Sequence, residues 1–252
     1  MSWKHSLWRA VSMAIGRESP RRGLRVLCYH SVGTALPGDP YGLSLPPEDF
    51  ARQMDLVASG RFGAPVSLGT AKLDGSAEIA VTFDDGFCGA LTQAAPLLAA
   101  RRLPFTVCAT PGLLESGPPY LSWDELKALA AVPGAEIGAH GLTHARLGEA
   151  GDAALAAELS GSRRRLEDAL GRPVTVMTWP HGDCSRRTAD AARAAGFLRA
   201  GCSLYGLNEP GRDPLLLKRT EIVAFDDDRD FARKCAGAWD FFARRQGDPA
   251  AR

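Results

Sequence analysis

The chain has 252 residues, of which 45% are hydrophobic and 23% are charged, and its formal net charge is +1. These values are typical of globular proteins, and the arginines are spread along the chain, so no nucleic-acid-binding surface is indicated. The six cysteines are scattered without a Cys-x-x-Cys pair, which predicts free thiols and not a disulfide framework.

Residues 1–20 are predicted to form an amphipathic helix. Apolar residues recur at every fourth position, namely Trp3, Leu7, Val11 and Ile15. Two interpretations remain open: the helix packs on the rest of the protein, or it lies at a membrane interface, where Trp8 would also insert. Because no apolar run is long enough to span a membrane and no signal-peptide pattern is found, we expect a cytoplasmic protein, peripheral on the inner membrane in the second interpretation.

Strand-like apolar runs alternate with helix-like segments over residues 21–245, which we predict to form one domain. The predicted strands cover residues 25–29, 78–83, 105–110, 136–139, 174–179, 197–201 and 215–223. The predicted helices cover residues 48–60, the alanine-rich segment after Gly89, and residues 122–130, 152–170 and 185–196. This alternation favours a parallel α/β architecture, either a barrel or a doubly wound sheet. In both, the residues that carry chemistry follow the C-terminal ends of the strands.

Two adjacent carboxylates, Asp84 and Asp85, directly follow the strand predicted at residues 78–83. Such a pair is costly after an apolar strand unless a cation or a catalytic role compensates for its charge. Gly86 permits a sharp turn of the backbone there. Asp-Asp-Gly is also a common turn, so this motif alone leaves a purely structural interpretation open.

His140 and His144 follow the strand predicted at residues 136–139. In a helical turn, their spacing would place both imidazoles on one face, where they could bind a single metal ion. Position 141 is not glutamate, so the arrangement differs from the His-Glu-x-x-His motif of metalloproteases. One aspartate with these two histidines would provide three protein ligands and leave positions open for water and substrate, while the second aspartate could act as a base.

Two further strands end in residues of chemical interest. After the strand at residues 174–179, Pro180 and Gly182 form an irregular loop whose N–H groups could face a developing oxyanion. His30 follows the first strand at the same predicted edge. Of the five histidines, only His5 lies outside these strand-end loops, and this clustering predicts an active site more strongly than any single motif.

These motifs resemble those of the polysaccharide deacetylase family, also called the NodB-homology domain or carbohydrate esterase family 4. The matching segments are VTFDDGF, AHGLTHARL and WPHGD, with supporting similarity in VLCYHSVG, LSWDELKALA and LLLKRTEI. The resemblance extends over roughly residues 25–225 and makes residues 21–245 the expected catalytic domain. It implies a distorted (β/α)7-type barrel that uses one divalent metal ion, most often Zn²⁺, to hydrolyse the acetamido groups of N-acetylglucosamine residues.

The resemblance also implies roles for individual residues. Asp84 would be the general base, and the backbone N–H of His181 would help to stabilise the tetrahedral oxyanion. The implied metal ligands are Asp85, His140 and His144. Many members have an arginine at the position of Thr178, which orients the catalytic aspartate, and Arg219 is a candidate replacement here.

A second departure concerns the general acid. Many members supply it from a late Leu-x-His motif, but no histidine follows His181 in this chain. The branch with an N-terminal Tyr-His motif is implied to supply it from the first strand, and Tyr29 and His30 match that motif. The resemblance therefore implies His30 as the acid, with His181 as the alternative. Members of this branch often act in exopolysaccharide or surface-adhesin synthesis.

The expected partner is an amino-sugar polysaccharide or oligosaccharide in an exopolysaccharide, adhesin or other cell-surface glycan. Trp123, Trp179 and Tyr205 are candidate sugar contacts. A deacylase of another amide or of an O-acetyl ester would use the same chemistry, and product analysis would separate it. A glycan-binding module with a decayed site is the non-enzyme alternative, and it would bind metal without releasing acetate.

Overall fold

The computed structural model describes residues 3–17 and 22–251 of the chain. Its centre is a parallel β-sheet that places the predicted active-site motifs at one edge. The strands are β1 (Gly23–Tyr29), β2 (Ser31–Val32), β3 (Ser44–Leu45), β4 (Ala64–Val66), β5 (Ala77–Phe83), β6 (Phe105–Ala109), β7 (Ala135–Ala139), β8 (Val176–Thr178), β9 (Arg199–Gly201) and β10 (Thr220–Glu221).

Seven strands follow one another across the main sheet in the order β10-β1-β5-β6-β7-β8-β9, and β4 pairs with β5 beside this path. All pairings in this sheet are parallel. The two ends of the path approach each other, because Leu217, just before β10, forms a parallel bridge with Gly201 in β9. The result is a distorted (β/α) barrel, which confirms the predicted fold class. β2 and β3 form a separate parallel pair.

The helices surround this sheet. They are α1 (Trp3–Ile15), α2 (Pro47–Ala58), α3 (Ala95–Ala100), α4 (Pro111–Leu114), α5 (Trp123–Ala130), α6 (Asp152–Leu170), α7 (Arg186–Ala194), α8 (Asp228–Cys235) and α9 (Ala243–Gln246). α6 has its predicted bounds and is followed by Gly171 in the left-handed conformation, with φ of 65°. α5 begins with the predicted capping box, in which the backbone N–H of Ser122 donates to Glu125 at 2.8 Å.

Apolar side chains between the sheet and the helices form the core. The aromatic residues Tyr29, Phe50, Phe83 and Phe105 are fully buried there, and the rings of Tyr29 and Phe83 stack with their centroids 5.5 Å apart. All six cysteines are free thiols, as predicted. Burial of this apolar surface provides most of the stabilisation of a domain of this size.

The N-terminal helix α1 packs on the C-terminal part of the chain. The Arg233 guanidinium donates to the carbonyl oxygen of Ser12 at 2.6 Å, and the ring of Trp8 lies edge-on to that of Phe242, with centroids 4.7 Å apart. These contacts support the interpretation of α1 as a packed helix. The division of the chain at residue 20 into helix and catalytic domain stays a prediction.

The apolar stripe predicted on α1 is only partly covered by this packing. Leu7 is 49% exposed and Ile15 is 61% exposed, whereas Val11 is half-buried. The side chain of Trp3 lies outside the described part of the chain. Among the described helices, none has both the length and the apolar composition needed to cross a membrane.

Residues 215–223 do not form the single strand predicted from their apolar character. The N–H group of Leu217 donates to the carbonyl oxygen of Ala200 in β9, whereas Thr220 pairs with Leu27 of β1. The side chain of Asn208 separates the two pairings, because it accepts from the N–H of Lys218 at 2.8 Å and donates to the carbonyl oxygen of Lys218 at 2.9 Å. The chain therefore changes partner strand in this segment, at the point where the barrel nearly closes.

Candidate active site

Four strands end in polar residues at one edge of the barrel, and one arginine reaches the same place from the segment before β10. The residues are His30 after β1, Asp84 and Asp85 after β5, His140 and His144 after β7, the Pro180–Gly182 turn after β8, and Arg219. These are the predicted site residues, and parallel strands bring them together because their C-terminal ends share one edge.

Asp84 is buried and is held by an arginine. The Arg219 guanidinium donates to both carboxylate oxygens, from Nη1 to Oδ1 at 2.8 Å and from Nη2 to Oδ2 at 2.7 Å. The Thr178 hydroxyl donates to Oδ1 at 2.9 Å, and Cys28 Sγ lies 3.5 Å from Oδ2. A bidentate pair of this kind fixes the orientation of the carboxylate as well as its charge.

The environment keeps Asp84 ionised. Burial is the largest single effect and raises the pKa of this carboxyl, but the charge and hydrogen bonds of Arg219, together with the neighbouring imidazoles, hold the pKa of Asp84 well below its usual range. His140 acts in the same direction. Near neutral pH, the Asp84 carboxylate therefore only accepts hydrogen bonds.

Asp85, His140 and His144 form a cluster that fits a divalent metal ion. One ligand atom from each lies within 4.8 Å of the others, and the two Nε2 atoms lie 3.3 and 3.2 Å from Asp85 Oδ1. This oxygen is buried and has no hydrogen-bond partner among the described residues. A carboxylate and two imidazoles directed at one point are typical ligands of Zn²⁺, and a bound cation would satisfy the unpartnered oxygen.

Thr178 sets the tautomer of His140. Nδ1 of the imidazole lies 2.6 Å from Thr178 Oγ1 and 3.0 Å from the Thr178 carbonyl oxygen. Because the Thr178 hydroxyl gives its proton to Asp84, both oxygens can only accept from Nδ1. Nδ1 therefore carries the proton, and Nε2 offers its lone pair to the cluster. Burial lowers the pKa of His140, which favours this neutral form.

The segment between the two histidines is irregular, with a bend at Leu142 and Thr143, which corrects the expectation of a helical turn there. His144 has a φ of 66°, in the left-handed region that is costly for a residue with a side chain. Glu158 in α6 holds this loop, because its Oε2 accepts from the N–H groups of Leu142 at 2.7 Å and Thr143 at 3.1 Å. The histidine pair therefore converges through a loop fixed by a helix carboxylate.

The loop after β8 places His181 next to the cluster. His181 has a φ of 58° within the Pro180–Gly182 turn, and its exposed ring lies edge-on to that of His144, with centroids 4.5 Å apart. Trp179 differs from the expectation of a sugar contact, because its side chain is fully buried and donates from Nε1 to the Leu215 carbonyl oxygen at 2.9 Å. Its side chain belongs to the core.

His30 lies beside Asp84, within a second group formed with Cys28. Ligand atoms of these three residues lie within 4.8 Å of one another. Arg219 already neutralises Asp84, which disfavours a cation at this second group. His30 Nδ1 is buried and has no hydrogen-bond partner in the part of the chain that the structure describes. No other described side chain therefore engages this nitrogen.

The sequence prediction missed the role of Glu158. Glu158 comes three residues after Leu155 and four before Ser162, both of which are buried residues of α6. This spacing places its carboxylate near the inward face of the helix and could have indicated its role. Of the other candidate sugar contacts, Trp123 is half-buried, with the guanidinium of Arg165 5.7 Å from its ring centroid.

A family model described as polysaccharide deacetylase matches residues 72–200, just over half of the 252 residues. No curated protein matches the chain.

Solved structures of deacetylases share the fold. The deacetylase PplD of Streptococcus pyogenes, in complex with acetate, superposes with a TM-score of 0.74 at 19% identity, over 86% of this chain and 99% of that one. IcaB from Ammonifex degensii gives a TM-score of 0.70 at 23% identity, covering 86% and 97%. The BpsB deacetylase domain from Bordetella bronchiseptica gives 0.66 at 18% identity, covering 82% and 98%. At these identities, the likeness shows a common fold.

Thr178→Val tests whether the threonine hydroxyl organises the cluster. Without it, His140 loses a hydrogen bond that fixes its tautomer, and we expect the affinity for Zn²⁺ to fall by about 10–100-fold, as is typical when the partner of a metal-bound histidine is removed. Competition with a chromogenic chelator measures this affinity. Thr175→Val, directly before β8, is the matched control. Unchanged Zn²⁺ affinity in Thr178→Val would show that the hydroxyl has no such role.

Proposed function

Because the chain belongs to the polysaccharide deacetylase family and is thus a hydrolase of amide bonds, we propose that it removes N-acetyl groups from N-acetylglucosamine-type residues of an exopolysaccharide, adhesin or other cell-surface glycan. The observation that carries this proposal is the pairing of two carboxylates with different surroundings. Asp84 is bound by Arg219, whereas Asp85 faces two imidazoles. The sequence resemblance to the branch with a Tyr-His motif supports the glycan class.

Deacetylases of this family generally depend on a metal ion, and the chain has an Asp/His cluster that fits one. We propose Zn²⁺ as that ion, held by Asp85, His140 and His144, because these nitrogen and oxygen ligands match its preferences. Bound there, it would supply Lewis-acid activation of the attacking water and of the substrate carbonyl.

Asp84 is proposed to take the proton of the attacking water. The two hydrogen bonds from Arg219 orient both carboxylate oxygens, so Arg219 acts as a positioning residue. The same pairing lowers the pKa of Asp84, so the carboxylate starts each turnover ionised and holds the acquired proton weakly.

The oxyanion and the leaving amine need separate groups. The backbone N–H of His181, in the turn next to His144, is proposed to donate to the oxyanion of the tetrahedral intermediate. His30 is proposed to protonate the amine, because its imidazole lies beside Asp84 and Nδ1 has no partner among the described residues. An amine is a very poor leaving group until it is protonated.

Product analysis tests the proposed function directly. Purified protein supplied with Zn²⁺ should release acetate from oligomers of N-acetylglucosamine and leave O-acetylated glycans without N-acetyl groups intact. Release from the O-acetyl esters alone would indicate the esterase alternative. Zn²⁺ binding without acetate release from any glycan would indicate a binding module with a decayed site.

The two aspartates should respond differently to the same substitution. Asp85→Asn removes a charged ligand, so we expect it to lose bound Zn²⁺ and activity together. Asp84→Asn removes the base while the cluster of ligands remains, so the protein should keep its metal and lose kcat by about 10²–10⁴-fold. Elemental analysis of the purified variants gives the metal content. Equal loss of metal in both variants would contradict the division of roles.

Substitution of the two non-ligand histidines separates the candidates for the general acid. His30→Ala should lower kcat by about 10²–10⁴-fold with metal content unchanged, because the amine would leave without protonation. His181→Phe keeps the backbone N–H and should remain substantially active. A fully active His30→Ala enzyme would exclude His30 and move the acid role to His181.

We propose that the protein is cytoplasmic and that α1, although it packs on the C-terminal segment through Trp8, touches the inner membrane with its exposed face. Leu7 and Ile15 are 49% and 61% exposed on this helix, as expected for side chains that insert at a lipid surface. The double variant Leu7→Ser/Ile15→Ser should reduce co-sedimentation with phosphatidylethanolamine–phosphatidylglycerol vesicles. Leu198→Ser, at a site of 64% exposure, is the control. Wild-type protein that stays in the supernatant would contradict the proposal.

A further inference from the structure

A cleft lined by aromatic side chains lies on the β10 side of the barrel opening. Its volume is about 560 Å³, within the range of about 300–1,000 Å³ typical of small-molecule sites. We call it the aromatic cleft, because six of the residues that line it are aromatic: Trp8, Tyr41, Tyr205, Phe225, Trp239 and Phe242. None of these side chains takes part in the proposed reaction.

The aromatic cleft adjoins the active site in two ways. Glu221 lines the cleft and pairs in register with Cys28 of β1, whose thiol contacts Asp84. Gln246 lines the cleft and also a smaller cavity of about 170 Å³ that is lined by His181 and Gly182. A chain of sugar residues with one residue at the active site could therefore extend into the cleft.

Around the cleft, Glu221 provides a carboxylate, and the guanidinium of Arg245 lies 4.6 Å from the ring centroid of Trp8. Lys234 also lines the cleft, but the ammonium group is bonded to Asp226 at 2.7 Å and to the Glu221 carbonyl oxygen at 2.8 Å. The Glu221 carboxylate has no ion-pair or hydrogen-bond partner among the residues that the structure describes. A cationic group that enters the cleft would therefore meet the Glu221 carboxylate, which attracts cations. The rings of Trp8 and Trp239 already face the cations of Arg245 and Lys234, so the aromatic side chains offer the ligand an apolar surface.

We propose that the aromatic cleft binds an already deacetylated residue of the same glycan, with its ammonium group at Glu221 and its sugar ring against the aromatic side chains. The inference rests on the proposed function, because N-deacetylation converts a neutral acetamido group into an ammonium ion. Tyr41, which is 71% exposed, lies at the cleft as an open surface for the sugar ring. A partly deacetylated chain would bind more tightly than a fully acetylated one, which would favour successive reactions on one chain.

Binding of two tetrasaccharides to the full-length protein tests this inference. For wild-type protein, the Kd of the glucosamine tetramer, measured by calorimetry, should rise with salt concentration. Glu221→Gln should raise this Kd by about tenfold, because it removes a charge-assisted hydrogen bond, and should leave the Kd of the N-acetylglucosamine tetramer unchanged. Tyr41→Ala should raise the Kd of the glucosamine tetramer severalfold. The controls are Glu209→Gln and Leu198→Ala, at exposed positions outside the cleft.

Equal Kd values for the glucosamine tetramer in wild-type protein, Glu221→Gln and Tyr41→Ala would overturn the inference. Thermal unfolding of each variant confirms that it is folded, and Tyr41→Ala changes an exposed side chain, so the test does not depend on Glu221 alone. Acetate release, measured separately on the N-acetyl tetramer, reports on the proposed function. Normal acetate release together with unchanged glucosamine binding in both variants would refute the cleft and leave the proposed function intact.

Discussion

The buried ion pair between Asp84 and Arg219 is the interaction on which the organisation of the site depends. Both side chains are almost completely excluded from solvent, and a buried charge without its partner is typically destabilising by about 3–5 kcal/mol. Asp84 follows β5, whereas Arg219 comes from the segment that joins the two ends of the sheet. The pair therefore links the closure of the barrel to the position of the proposed base.

This link also explains a glycine in β9. A Cβ atom at position 201 would lie 2.5 Å from Cδ of Arg219, which is too close for any side chain. Gly201 thus leaves the space through which the arginine reaches Asp84. Thr178 of β8 pairs in register with Gly201 of β9. Its hydroxyl group connects the Asp84 carboxylate to His140. The proposed base and one proposed metal ligand are consequently held by a single hydrogen-bonded network.

Strained backbone conformations concentrate around this network. Asp85, His144 and His181 have φ values of 69°, 66° and 58°, although each carries a side chain. Such conformations cost on the order of 1–3 kcal/mol each and persist only where the surroundings fix them. Here Glu158 fixes the loop before His144. In this arrangement, the Nε2 atoms of His140 and His144 lie 3.3 and 3.2 Å from one carboxylate oxygen of Asp85, which is the geometry that a shared cation requires.

Much of the fold could be predicted from the sequence because its signals are local. The leucine stripe and Gly171 defined α6, and Ser122 with Glu125 defined the start of α5. The partner change within residues 215–223 could not be predicted, because it depends on the distant side chain of Asn208. α8 was not predicted, although Asp227 and Asp230 form a capping box at its start.

The features of the site that could be predicted are likewise those that depend on local sequence. The strand-end positions of Asp84, Asp85, His140 and His144 could be predicted from their motifs, and Arg219 was a candidate partner of the base. The buried position of Trp179 and the non-helical loop before His144 depend on tertiary packing, which a motif does not encode. The aromatic cleft combines residues from α1, the loop after β2 and the C-terminal segment, so no single stretch of sequence predicted it.

The most direct test of the account is a titration of metal-free protein with Zn²⁺, in which bound metal and acetate release from N-acetylglucosamine tetramer are measured on the same samples. The account predicts that acetate release rises in proportion to bound Zn²⁺ and reaches its maximum at one ion per chain. Full acetate release by protein that contains no divalent metal would contradict it.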